Sequence, residues 1–261
     1  MFIDYLVLFC TAALAGGVNA VAGGGTLLTF PALVAVLHRH GIDRDAAMVL
    51  ANGTSTVGLF PATMAALWGY RREFASARAW ILPLTPSSIL GGTLGALLVT
   101  QLPEDTFAAL VPWLILTAAM LFAFQPTIAR RLNIGRPHEA PRSRTIVGII
   151  LFQLAVSIYG GYFGAGIGIL MLSALAMMGL SDIHAMNGLK SLLGGCINGS
   201  AVVIFSVTGK VHWPIAMTMA VAGCLGAYGA ASVARRLPRF FIRRVIITIG
   251  FALAVYYFVR G

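Results

Sequence analysis

Residues 22–33 read Ala-Gly-Gly-Gly-Thr-Leu-Leu-Thr-Phe-Pro-Ala-Leu, and residues 164–175 read Gly-Ala-Gly-Ile-Gly-Ile-Leu-Met-Leu-Ser-Ala-Leu. Each stretch places a glycine cluster before a short apolar run, and both end in Ala-Leu. A break in a membrane helix frees backbone N–H groups, which is tolerated only where protein or a water-lined cavity satisfies them. The two stretches therefore predict a pair of broken membrane helices at equivalent positions of an internal repeat.

The apolar segments around these stretches are long enough to cross a bilayer. Hydrophobic residues make up 59% of the 261 residues and charged residues only 10%, and a helix of about 20 apolar residues spans the hydrocarbon core. The sequence predicts an all-α integral membrane protein with eight long transmembrane helices and two short glycine-broken half-helices, 8–10 segments in all. The long segments lie near 3–22, 46–70, 79–100, 107–125, 145–163, 185–208, 213–234 and 242–259, and the short ones near 26–37 and 167–178.

Two halves of similar design are predicted. Beyond the glycine clusters, Thr54-Ser55 falls near Lys190-Ser191, and Gly92 corresponds to Gly226. Such repeats are common in secondary transporters, with the binding site between the halves. The predicted organisation is a first transmembrane repeat over 1–125, a basic cytoplasmic linker over 126–144 and a second transmembrane repeat over 145–261.

Charge indicates how the two halves are oriented. The connection 71–78 is more basic than its counterpart near 209–212, whereas 101–105 is acidic and its counterpart 235–244 is strongly basic. Because cytoplasmic loops carry the excess of Lys and Arg, this exchange predicts that one repeat is inverted relative to the other, with both termini extracytoplasmic. The net charge of +10 is thus read as anchoring at a lipid bilayer with anionic lipids, and no nucleic-acid partner is predicted.

Lys190 lies inside a long apolar segment, unlike the other basic residues, which lie in connections or near segment ends. A charge at the bilayer centre costs roughly 2.5–3.5 kcal/mol on insertion scales, so an intramembrane lysine indicates a functional site. Asn187, Ser191 and Asn198 lie at helical spacings around it. Since no acidic residue lies within a membrane segment to pair with it, the expected counter-ion is an anionic ligand. The alternative is that Lys190 snorkels to the interface along its flexible stem.

The remaining candidate binding residues come from the first half and from the glycine clusters. A half-helix that begins after such a cluster directs its positive N-terminal end into the bilayer, which favours an anion. The alternative explanations are interhelical hydrogen bonding for the polar side chains and close helix packing for the glycines. The candidates are Asn52, Thr54 and Ser55, then Gly24, Gly25 and Thr26, and finally Gly166 and Gly168.

No catalytic or metal-binding pattern is found. The sequence has no HExxH, Gly-x-Ser-x-Gly or Cys-x-x-Cys pattern, and Cys10, Cys196 and Cys224 lie in apolar segments without paired spacing. We therefore expect a protein that is not an enzyme and that needs no metal or other cofactor.

The chain resembles the TauE/SafE sulfite exporter family. The resemblance rests on Gly23-Gly24-Gly25 with Pro31, the Thr54-Ser55 patch, the run Tyr159–Ile169, and Asn187-Gly-Leu-Lys190-Ser191 through Asn198 to Gly209-Lys-Val-His-Trp213. It implies a multi-pass permease of the bacterial inner membrane for small sulfur-containing anions such as sulfite, sulfoacetate or thiosulfate.

Three functions remain open from the sequence. The first is a secondary transporter that exports a small sulfur anion such as sulfite or an organosulfonate, driven by membrane potential. The second is an ion-coupled importer of a sulfur oxyanion such as thiosulfate. The third is a non-transporting membrane assembly protein. The expected partners are the small anionic substrate and the lipid bilayer, with a homo-oligomer left open.

Overall fold

The computed structural model describes residues 2–22, 24–69, 71, 78–131, 143–177, 180, 182–233 and 239–260. Every regular element in these ranges is an α-helix, so the predicted all-α class is confirmed. The ten helices are α1 (Phe2–Ala22), α2 (Thr26–Arg39), α3 (Arg44–Gly69), α4 (Arg78–Gln101), α5 (Glu104–Arg131), α6 (Ser143–Tyr162), α7 (Ile167–Met177), α8 (Ile183–Val207), α9 (Trp213–Val233) and α10 (Arg239–Arg260).

Each predicted segment coincides with one helix. The two short pieces are α2, with 14 residues, and α7, with 11, and each follows a glycine cluster as expected. α5 continues beyond the predicted boundary at residue 125 to Arg131, and residues 132–142 of the predicted linker lie outside the described residues. By length and composition, four helices are able to cross a membrane, in the windows Phe2–Asn19, Arg78–Gln101, Glu104–Phe124 and Ala185–Val207.

α3 shows how polar residues are accommodated in the bundle. It is 26 residues long, and Asn52, Thr54 and Ser55 near its middle are fully buried. Their polar atoms therefore face protein, where hydrogen bonds can compensate for their removal from water.

The two ends of the bundle differ in charge. At one end Asp4 of α1 pairs with Arg39 of α2, and Glu104 of α5 pairs with Lys210 before α9. We call this the acidic end, because Asp43, Asp45 and Asp105 also lie at the helix termini that meet there. The other end, the basic end, receives the opposite termini, among them those that carry Arg71, Arg78, Arg130, Arg131 and Arg239.

Helix contacts are reciprocal between the first five helices and the last five. α1 packs on α9 as α4 packs on α6, and α3 packs on α9 as α4 packs on α8. α3 also packs on α8, and α5 on α10. Exchanging α1–α5 for α6–α10 in order maps the first four of these contacts onto one another in pairs and the last two onto themselves.

Glycines make the two equivalent crossings close. A Cβ added to Gly16 of α1 would collide with the carbonyl oxygen of Gly223 in α9, and one added to Gly161 of α6 would collide with that of Gly92 in α4. The helix backbones thus touch directly at both crossings. The structural counterpart of Gly92 is therefore Gly223, one turn before Gly226, which the sequence comparison had matched with it.

An aromatic cluster fills the bundle centre toward the acidic end. The ring of Phe30 in α2 lies 5.3 Å from that of Phe163, 6.5 Å from that of Phe107 and 6.4 Å from that of Tyr257. Phe30 and Phe107 are fully buried. Burial of this much aromatic surface ties α2, α5, α10 and the turn after α6 into one core.

Candidate functional site

A central pocket lies between α3 and α8 and holds about 700 Å³ of space not filled by protein atoms, including its open mouth. Helices α1, α2 and α7 complete its walls. Hydroxyl, amide and ammonium groups alternate with apolar side chains around it. The lining residues are Asn19, Thr26, Ser55, Thr56, Leu59, Thr63, Ala66, Phe163, Gly164, Ile167, Gly168, Met171, Lys190, Ser191, Gly194 and Asn198.

α3 and α8 contribute to the pocket with the same spacing. In α3, Thr56 Oγ1 donates to the carbonyl of Asn52 at 2.9 Å. In α8, Ser191 Oγ donates in the same way to the carbonyl of Asn187 at 2.8 Å. With Thr56 matched to Ser191, Lys190 takes the position of Ser55, one residue away from the match that the sequence comparison gave. The equivalent lining positions are Ser55, Thr56, Leu59 and Thr63 of α3 and Lys190, Ser191, Gly194 and Asn198 of α8.

Lys190 is buried, with 8% of its surface exposed, and it borders the pocket. Its ammonium group forms no hydrogen bond or ion pair with any residue in the part of the chain that the structure describes. The described lining also contains no Asp or Glu. A buried ammonium without a partner is costly, so a ligand that supplies negative charge at this place would be strongly favoured.

Two helix N-termini meet at the pocket. Thr26 is the first residue of α2, Ile167 and Gly168 begin α7, and all three line the pocket. The first N–H groups of a helix have no intrahelical acceptor, and the macrodipole places positive potential there. In α2 the N–H groups of Leu27 and Leu28 already donate to the carbonyls of Gly24 and Gly25, at 3.2 and 3.0 Å, so the contribution of this end is mainly that of the helix dipole. Both ends therefore add electropositive character beside Lys190.

The turn that positions α7 is fixed by hydrogen bonds and by glycine conformation. Gly164 and Gly166 have φ values of 78° and 77°, a region that other residues rarely adopt. The hydroxyl of Tyr159 donates to the carbonyl of Ala165 at 2.7 Å, and Nδ2 of Asn52 donates to the carbonyl of Tyr162 at 2.9 Å. These bonds fix the pocket wall from both sides of the turn.

Six of the twelve predicted site residues line the pocket, and six lie behind it. Lys190, Ser191, Asn198, Ser55, Thr26 and Gly168 are in the lining, whereas Asn187, Asn52, Thr54, Gly24, Gly25 and Gly166 are absent from it.

The residues behind the pocket have structural contacts of their own. A Cβ on Gly24 would collide with the ring of Phe122, and one on Gly25 would lie 2.6 Å from the carbonyl oxygen of Ala15. Thr54 Oγ1 accepts a hydrogen bond from the backbone N–H of His212 at 2.9 Å. Close helix packing thus explains the contacts of Gly24 and Gly25, and a hydrogen bond to another segment explains that of Thr54.

Several lining residues were missed by the sequence analysis. Asn19 of α1 donates to Thr63 Oγ1 of α3 at 3.3 Å, and both side chains border the pocket. Thr63 follows Ser55 by two helical turns, so helical spacing alone could have indicated it. Asn19 and Phe163 had no such signal, because they enter through tertiary packing.

Comparisons with known proteins are consistent across nearly the whole chain. The family model described as "Sulfite exporter TauE/SafE" matches residues 8–257. The chain belongs to the TauE/SafE family. Among similar proteins, the "Probable membrane transporter protein ORF9" of Sinorhizobium sp is 29% identical, over 95% of this chain and 90% of that protein. A "Probable membrane transporter protein" of Haemophilus influenzae is 28% identical, over 96% and 93%.

A third similar protein, the "Probable membrane transporter protein YfcA" of Escherichia coli K12, is 27% identical over 94% of this chain and 86% of that protein. These names are those of membrane transporters. Together with the apolar helices of the fold, membership of the TauE/SafE family makes this chain a multi-pass membrane protein of a transporter family.

Proposed function

We propose that the protein is a secondary transporter that exports small sulfur-containing anions, such as sulfite or organosulfonates, through the central pocket. The observation that carries this proposal is Lys190, a buried cation at a polar pocket that has no described carboxylate in its lining. The family description, sulfite exporter, supports the substrate class.

The pocket chemistry favours an oxyanion over a neutral or cationic ligand. Lys190 supplies a charge, Ser55, Thr56 and Ser191 supply hydroxyl donors, and the N-termini of α2 and α7 supply positive potential. Hydrogen bonds to charged groups contribute about 1.5–3 kcal/mol each, roughly twice the neutral value. A ligand with several negative oxygens can use these donors together, whereas a cation would be repelled by Lys190.

The transport architecture proposed is a pair of inverted repeats, residues 1–125 and 145–261, embedded in the bacterial inner membrane. The reciprocal helix contacts and the two glycine crossings support the repeat. The basic end carries Arg71, Arg78, Arg130 and Arg131, which supports a cytoplasmic location for it, and the acidic end is then extracytoplasmic. α2 and α7 serve as half-helices that point at the site from opposite ends.

Energetics support export as the direction of transport. With a negative interior, each negative charge that moves outward gains about 2.3 kcal/mol per 100 mV. Export of an anion therefore needs no coupling ion. Import of the same anion would need one, and no Asp or Glu lines the described part of the pocket to carry a proton.

Flux in proteoliposomes under an imposed potential tests this proposal. Sulfite, thiosulfate and sulfoacetate are to be compared for wild type, Lys190→Met and Lys190→Arg. We expect the anion to leave the compartment that is made electrically negative. Lys190→Met should reduce this flux about tenfold or more, because at least one charged interaction with the anion is lost, and Lys190→Arg should retain part of the flux. Lys210→Met is the matched control, because Lys210 is the chain's other lysine and is paired with Glu104 away from the pocket.

Wild-type flux in Lys190→Met would remove this lysine from the mechanism and with it the proposal. Flux that depends on a proton or sodium gradient and not on potential would replace export by ion-coupled import. An absence of flux for all three anions, with folded protein, would favour a non-transporting role.

A further inference from the structure

A second cavity lies at the acidic end, between the start of α1, the end of α2 and the start of α9. It holds about 660 Å³ of space not filled by protein atoms, including any opening. Asp4, Tyr5, His40 and His212 give it a polar lining, and the remaining walls are apolar. Those apolar residues are Leu8, Val36, Leu37, Ile42 and Ile215.

This cavity and the central pocket lie in series along the same helices. On α2, Thr26 lines the central pocket and Val36 lines the second cavity. On α3, Ser55 lines the central pocket, while the adjacent Thr54 accepts the backbone hydrogen bond of His212. The backbone of His212 therefore contacts α3 at the residue next to a lining residue of the central pocket.

The polar character of the cavity is not imposed by the fold. The crossing glycines align the two halves, with Gly16 of α1 matched to Gly161 of α6 and Gly223 of α9 matched to Gly92 of α4. Counting from these glycines, each lining residue of α1 has a counterpart in α6, and each lining residue in or just before α9 has one in α4. Asp4, Tyr5, His212 and Ile215 correspond in this way to Ile149, Ile150, Ile81 and Leu84.

The counterparts are packed in an apolar cluster. Ile149 and Leu84 are buried in it, and Ile81 and Ile150 pack against it. At four of the five lining positions matched in this way the basic end carries packed apolar side chains, whereas the fifth, Leu8, corresponds there to the buried Gln153; at the acidic end the same place is hollow and polar. Stability alone would favour the filled version, since unfilled space and buried polar groups both cost free energy.

The unsatisfied groups of the cavity suit an anion. Asp4 already pairs with Arg39 at 2.9 Å and with His40 Nε2 at 3.3 Å, and the nearby Lys210 pairs with Glu104 at 2.6 Å. Neither ring nitrogen of His212 bonds to any described residue, and its Nδ1 is buried. A protonated imidazole can donate from both nitrogens, whereas the carboxylate of the cavity is already engaged.

We propose that this cavity is a second oxyanion station, a vestibule in which His212, beside the Asp4–His40 pair, binds the anion between the central pocket and the acidic end. The proposal rests on the proposed function for its ligand class, a small sulfur oxyanion. It assigns a role to a histidine that lies outside the central pocket.

Thiol labelling with a charged pair of reagents tests the vestibule. In a variant with Cys10, Cys196 and Cys224 replaced by Ala, Ile215→Cys places one thiol in the cavity wall. Purified protein in nanodiscs is reacted with the sulfonate reagent MTSES and the cationic reagent MTSET, each rate being divided by that of a free thiol. We expect MTSES to be favoured roughly tenfold, the factor that corresponds to about 1.4 kcal/mol of attraction.

Three further variants make the result specific. Adding His212→Leu should abolish most of the preference for MTSES, whereas His212→Gln, which keeps a hydrogen-bond donor, should retain part of it. Leu84→Cys, the counterpart of Ile215→Cys in the apolar cluster, should react with neither reagent. Val36→Cys replaces Ile215→Cys if the latter does not give a folded protein by thermal unfolding.

Equal normalised rates, no reaction with either reagent, or an unchanged preference after His212→Leu would overturn the vestibule and leave a water-filled cavity. Those outcomes leave the proposed function intact if flux still depends on Lys190. Conversely, a flux that ignores Lys190 would remove the proposed function even where the labelling preference is found.

Discussion

Ser55 and Lys190 occupy equivalent positions of α3 and α8 and line the same pocket, yet only one of them is charged. In the first half the position is neutral, and Ser55 Oγ lies 2.6 Å from Thr29 Oγ1, with both residues fully buried. The two halves thus provide two equivalent positions for a cationic side chain, of which the position in α8 carries one and the position in α3 does not. The site therefore has a charged side and a hydroxyl side, which orients an asymmetric ligand.

Transposing the charge tests whether the two places are equivalent. Lys190→Ser should weaken binding of the transported anion by roughly tenfold to a hundredfold, because a charged hydrogen bond of about 1.5–3 kcal/mol is lost. Adding Ser55→Lys should restore a large part of that affinity. Equilibrium binding of the anion to purified protein measures both changes. No recovery in a folded double variant would show that the second place cannot substitute for the first.

Two tyrosines at the end of α6 should differ sharply on loss of their hydroxyl groups. Tyr159→Phe leaves the carbonyl of Ala165 without its donor and loosens the turn before α7, so the KM for anion flux should rise several-fold with little change in kcat. Tyr162 is the matched control, because its buried hydroxyl has no partner among the described residues. Tyr162→Phe should therefore be neutral or slightly stabilising. Equal effects of the two variants on KM would contradict a positioning role for Tyr159.

The glycine crossing of α4 and α6 predicts a difference in stability within one helix. Gly161→Ala forces a methyl group onto the backbone of Gly92 and should lower the free energy of unfolding by roughly 1–3 kcal/mol, as overpacking does. Gly148→Ala, also in α6, meets nothing within 4 Å and should be neutral or mildly stabilising. Thermal unfolding in detergent measures both. A drop in Tm that is the same for both variants would contradict the crossing.

The sequence predicted the helices well because length and hydropathy act locally. Ten apolar segments, two of them short and preceded by glycines, became the ten helices of the described residues. Lys190 could also be singled out from the sequence, since a charge within an apolar segment needs no tertiary information to be noticed, and in the structure it borders the central pocket.

The sequence predicted less accurately which face of each helix borders the pocket, because the neighbouring helices set the rotation of a helix about its axis. Asn52 and Ser55 are close in the sequence, yet Asn52 holds the end of α6 while Ser55 borders the pocket. His212 was not among the predicted site residues, and only the packing of α1, α2 and α9 around it reveals a cavity. The repeat alignment made from the sequence differs from the structural one by one residue at Ser55 and by one turn at Gly223. These differences also arise because helix packing sets the structural matches.

The close crossing of α1 and α9 has a consequence for biosynthesis. Gly16 is synthesised 207 residues before its partner Gly223. Until α9 has been made, α1 lacks the neighbouring helix that covers its small residues. Docking of α1 on α9 is therefore a long-range step of assembly, which can follow only after the helices α2 to α8 between them have been made.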